Sequence, residues 1–197
     1  MSWSWAQFHI PSSPAHSTPV SQALPHPHLT IYIMFGSAFI ATVVAALAGY
    51  VAAQESHQVT MTNNCGSGNP VFLYEADSTP QGPGTINGQL LGGIAWIDGF
   101  SGADCQSSGV NCGIIEFTLR DDAPNQNAAD FSLLTGPGLG NHQFTYPMAF
   151  NYLGACTQSA TCASPSNCPG AYTGSNTTSG APVQCIGREV GIHISFC

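Results

Sequence analysis

The chain has 197 residues, which favours one modest domain, and only 6% of them are charged. Two basic residues against ten acidic ones give a net charge of −8, which excludes the clustered Lys and Arg that nucleic acid or anionic lipid requires. Neutral ligands such as polysaccharide remain open, and 22 Gly and 14 Pro beside many Ser, Thr and Asn suit a turn-rich β protein.

Residues 1–28 carry Pro, Ser, His and aromatics without periodicity and are expected to be a disordered or non-native extension. The next segment, Leu29 to Ala53, is almost wholly apolar. Within it Met34 to Ala53 has the length and small-residue ending of a secretory signal, with Val51-Ala52-Ala53 as the cleavage pattern before Gln54. An uncleaved membrane anchor is the competing reading. All eight cysteines (65, 105, 112, 156, 162, 168, 185 and 197) follow this segment. An even count placed downstream of a signal predicts disulfides formed during export, and hence an extracellular protein. The spacings Cys105/Cys112 and Cys162/Cys168 are too wide for the usual close pairs of zinc ligands.

The expected domain is 54–197. His57 to Thr62 alternates like a first strand and ends at the turn Asn63-Asn64-Cys65-Gly66. Val71 to Tyr74 is a second strand, Ser78 to Gly88 reads as a loop, and Ile94 to Ile97 centres a third strand. Gly113 to Leu119 is apolar and β-branched, yet carries Glu116 in its middle; Ala129 to Leu134 likewise carries Asp130. A buried charge is costly unless paired or open to water, so Glu116 is expected to look into a cleft. Phe144 to Phe150 reads as an edge strand broken by Pro147, residues 154–182 as a loop, and Val190 to Cys197 as the last strand. Many short strands between turn clusters predict an all-β sandwich.

The ordered set Thr62-Asn63-Asn64-Cys65, Asp104-Cys105, Gly113-Ile114-Ile115-Glu116-Phe117-Thr118-Leu119, Asp130-Phe131-Ser132-Leu133, Tyr146-Pro147-Met148, Val183-Gln184-Cys185 and Ser195-Phe196-Cys197 resembles the thaumatin-like family. It covers most of 57–197, and the chain is also similar to small secreted fungal proteins labelled glycopeptides. The resemblance implies a flattened, disulfide-stapled β-sandwich in a single domain, without the family's helical second domain. Counting alone leaves about 105 cysteine pairings open; the resemblance implies Cys65–Cys197, Cys105–Cys112, Cys156–Cys185 and Cys162–Cys168.

It also implies an acidic cleft linked to β-1,3-glucan binding, with weak endo-β-1,3-glucanase or antifungal activity in some members. Glu116 matches the cleft glutamate and Asp130 the first cleft aspartate. Thr135 stands at the second aspartate's position, beside a Gly-rich insertion from Gly136 to Gly140. No acid lies between Ala171 and Pro182, and no basic residue precedes Cys105. Hydrolysis would use Glu116 as acid and Asp130 as nucleophile or base. Without flanking charges nothing in the sequence separates their pKa values, so binding is favoured over turnover. Trp96, Phe144 and Tyr146 are candidate sugar-stacking aromatics, with core packing as the competing reading.

The sequon Asn176-Thr177-Thr178 predicts glycosylation. A non-catalytic structural or defence glycoprotein is therefore a second functional reading. A remote third is a copper-dependent polysaccharide oxidase, with His57 as N-terminal ligand and His142 as a second. No cofactor and no other metal are expected. The expected partner is β-glucan or cell wall, the expected state a monomer, with no stable membrane association once the signal is removed.

Overall fold

A computed structural model describes residues 54–122, 127–136, 138–173 and 181–197. The expected extension and signal segment and the sequon at Asn176 lie outside the described residues. Twelve strands follow in chain order: β1 Ser56–Asn63, β2 Asn69–Tyr74, β3 Asp77–Gln81, β4 Gly84–Asn87, β5 Leu90–Asp98, β6 Ile114–Leu119, β7 Asn127–Ser132, β8 Met148–Leu153, β9 Ser159–Cys162, β10 Ala171–Tyr172, β11 Val183–Cys185 and β12 Gly191–Phe196. Among the described residues there is no α-helix.

The strands form a disulfide-stapled β-sandwich. One sheet has five strands in the order β4-β1-β12-β8-β9; the other has seven, in the order β10-β7-β6-β5-β2-β3 with β11 also on β7. Period-two alternation decides which side chains enter the core between them. Val59, Ile192, Ile194 and Phe150 from the first sheet join Ile115, Phe117 and Phe131 from the second in one buried cluster. The Phe131 and Phe150 rings, 5.2 Å apart, bridge the two layers. The first and last strands pair in parallel inside the five-stranded sheet.

The disulfides are Cys65–Cys197, Cys105–Cys112, Cys156–Cys185 and Cys162–Cys168. These are the four pairs the resemblance implies. Such a set fits an oxidising, extracellular environment. Among the described residues no helix is long and apolar enough to cross a membrane.

Three expectations need correction. Ser78 to Gly88 holds most of β3 and all of β4, and 154–182 holds β9 and β10. All four are short and are the outermost strands in the order of their sheets, where pairing on one side relaxes the need for an apolar pattern. The strand expected over Phe144 to Phe150 instead starts after Pro147. It is β8, between β12 and β9, so it is not an edge strand. Pro147 cannot donate to a ladder and stays outside it, its carbonyl accepting the Cys197 N–H at 2.8 Å.

Candidate functional site

The seven-stranded sheet turns one face to the core and the other outward. Along β6, Ile115, Phe117 and Leu119 point into the core cluster, so Ile114, Glu116 and Thr118 line the outer face. Along β7, Ala129 and Phe131 point inward and Ala128, Asp130 and Ser132 outward. The antiparallel register sets Glu116 directly opposite Asp130. Directly opposed Cβ atoms in such a ladder are about 4.5–5.5 Å apart, within reach of two short acid side chains.

The two carboxyls share a hydrogen bond. Like-charged acids at that distance cannot both ionise, so the pair holds a proton. Burial pushes Asp130 up to about 8, and the neighbouring Glu116 charge and hydrogen bond push in the same direction. Glu116 is also raised by burial, but the His142 ring and the hydrogen bond from Asp130 pull it back. The two carboxyls therefore keep one proton between them.

Two polar atoms beside this bond are buried without a protein partner: Asp130 Oδ1 and Ser132 Oγ. Orphaned buried polar atoms cost about 1–3 kcal/mol each. Tyr172 on β10 is opposite Ser132 and therefore on the same outer face. Its hydroxyl is raised by partial burial and by the Asp130 and Glu116 charges. Sequence reasoning missed Tyr172 because a two-residue strand inside a Cys-, Ser- and Gly-rich stretch has no period to detect.

At one end of this face the Cys105–Cys112 loop closes over Trp96 and Ile114, which are 0% exposed. A Cβ at Gly109 would lie 2.2 Å from Ile114 Cγ2, and its φ of 68° also favours glycine. The Gly-rich insertion packs on this loop: the Gly140 carbonyl accepts the Asn111 N–H at 3.1 Å. The His142 Nδ1–H is shared between the carbonyls of Gly109 and Cys112, at 3.1 and 3.0 Å.

The aromatic candidates do not form a sugar platform. Trp96 is sealed under the loop, and Tyr146, 1% exposed, belongs to the core. Phe144 is partly buried against that core. The Tyr146 hydroxyl accepts from Ile97 N–H at 3.2 Å and donates to the Gly113 carbonyl at 3.0 Å, tying β5 to the residue before β6. Burial pushes this hydroxyl up to about 12. Tyr146→Phe should lower unfolding stability by about 1–3 kcal/mol in urea titrations, because it orphans a buried N–H and carbonyl. A change under 0.5 kcal/mol would show these bonds to be dispensable.

The two histidines of the copper reading are not brought to one site by any shared partner. His57 is buried, its ring bonded to the Val190 carbonyl at 2.8 Å and to Glu55 at 2.9 Å. His142 is instead held by Gly109 and Cys112. The chain matches no known protein-family model, and no curated protein matches it.

Proposed function

We propose that this is a secreted, thaumatin-like cell-wall protein that binds neutral polysaccharide, β-1,3-glucan above all, without cleaving it. The observation that carries this reading is the proton-sharing Glu116–Asp130 pair on the outer face of the larger sheet. The partly exposed Glu116 of that pair presents carboxyl oxygens that can accept from sugar hydroxyls. The half-exposed ring of Tyr172 adds an apolar surface beside it. An anionic sugar would meet a chain of net charge −8.

Hydrolysis is disfavoured by spacing. Glycosidase carboxyls stand about 5–5.5 Å apart for retention and about 6.5–9.5 Å for inversion, with the scissile bond between them. Carboxyls that hydrogen-bond each other leave no such gap. Pull-down on insoluble β-1,3-glucan should therefore retain the wild-type protein, with no reducing sugar released. Glu116→Gln and Asp130→Asn should each weaken retention by about tenfold, the value of one good hydrogen bond to a charged or shared-proton group. Equal retention of all three proteins would remove the pair from the binding site, and sugar release by the wild type would overturn the non-hydrolytic reading.

A further inference from the structure

We propose a second site, unrelated to the acidic pair: a divalent-metal site of the zinc class formed by Glu55, His57 and Asp121. One ligand atom from each residue lies within 4.8 Å of the other two. The residues come from the segment before β1, from β1 itself and from the connection after β6, so a bound ion would clamp parts of both sheets.

The histidine supplies the argument. His57 is 0% exposed, and its Nδ1 faces the Val190 carbonyl at 2.8 Å. A carbonyl only accepts, so Nδ1 carries a proton and Nε2 is the ring nitrogen left to face a ligand. That nitrogen faces Glu55 Oε1 at 2.9 Å, and the same oxygen accepts the Asp121 N–H at 2.7 Å. A ring nitrogen and a carboxylate oxygen at that distance hold either a proton or a metal ion between them. A backbone carbonyl holding the far ring nitrogen is also the usual way a metal-bound imidazole is oriented.

The second carboxylate favours the metal over the proton. A proton on Nε2 satisfies Glu55 alone and leaves Asp121 as a further anion, its side chain only 7% exposed. One Asp121 oxygen accepts the Glu189 N–H at 2.5 Å, and the other is 3.8 Å from an Arg188 side chain that is 82% exposed. The other nearby cation, Arg120, is already bonded to Asp122 through two of its nitrogens, at 2.5 and 2.6 Å. A divalent ion neutralises both carboxylates and takes the imidazole as its third ligand. Imidazole with carboxylates suits zinc and its neighbours, whereas calcium and magnesium prefer oxygen alone. Three protein ligands leave a fourth position for water, which zinc accepts.

The test titrates zinc sulfate into chelator-treated, purified protein, with calcium chloride as the control. Binding is followed by calorimetry and by the melting temperature. We expect one zinc per chain, a raised melting temperature and no response to calcium. Asp121→Asn and Glu55→Gln keep the size and an acceptor oxygen for the Glu189 and Asp121 N–H groups, so both should fold; each should weaken zinc at least tenfold. Cobalt(II) should give the intense visible absorption of a four-coordinate site in the wild type only. Absence of saturable zinc binding, or equal binding by both variants, would overturn the proposal and leave a buried imidazolium–carboxylate bridge. An Nε2–H resonance of His57 that persists in excess zinc would overturn it equally.

Discussion

The protein should lose stability as the pH rises from 3.8 to about 8, and Asp130→Asn should remove most of that loss. The sign follows from proton counting. An acid whose folded pKa is raised binds more protons folded than unfolded, so its contribution is complete below the unfolded value and is lost progressively up to the folded one. For Asp130 those limits are 3.8 and about 8. At about 1.4 kcal/mol per pH unit the full interval sets a ceiling of about 6 kcal/mol. Access of water to the half-buried Glu116 side of the pair reduces the expected loss to about 2–3 kcal/mol.

Asparagine has nothing to ionise and still donates to the Glu116 carboxylate. The variant should therefore exceed the wild type by about 2–3 kcal/mol at pH 9, and fall level with it or below it at pH 3. Guanidinium unfolding at a series of pH values reads both curves. Parallel curves would mean that Asp130 is ionised in the folded protein at neutral pH, and the shared proton would be wrong.

The largest loss expected from removing a covalent link is at Cys65–Cys197, which spans 132 residues and joins the end of β1 to the end of the chain. On the chain-entropy account, a loop of that length constrains the unfolded ensemble by about 4–5 kcal/mol, against about 2–3 for the loops closed by Cys105–Cys112 and Cys162–Cys168. The double variant Cys65→Ala/Cys197→Ala should thus be the least stable of three matched double variants. Its unfolding slope with guanidinium should also steepen, because the open chain exposes more surface. Backbone bonds still hold the ends: Asn64 N–H reaches the Phe196 carbonyl at 2.9 Å, beside the parallel β1–β12 ladder. Folding should therefore survive at low temperature. A loss no greater than that of the two short-loop variants would show that residual structure already keeps the chain ends close in the unfolded state.

The strands that carry the core were legible because their pattern is strong. Ile114 to Leu119 and Gly191 to Phe196 alternate or run apolar for six residues each, and both are strands. The short strands β3, β4, β9 and β10 were not legible. Their residues are polar or few, and they exist because a neighbouring strand offers unpaired backbone groups, which no local pattern records. The aromatic candidates failed for a related reason. Composition marks Trp96 and Tyr146 as large and amphipathic, but only the overlying Cys105–Cys112 loop and the facing Phe100 and Phe196 rings bury them.

Local chemistry alone therefore determined that this would be a cysteine-linked β protein with two acids in apolar strands and too little positive charge for nucleic acid. Whether those acids meet depended on the register of β6 against β7, a property of two segments at once: a slip of one residue would have sent one carboxyl into the core. That both acids are pushed up was decided later still, by their burial, against which His142 from a distant loop pulls Glu116 back. The gathering of Glu55, His57 and Asp121 has the same origin, since proximity across more than sixty residues is made only by packing.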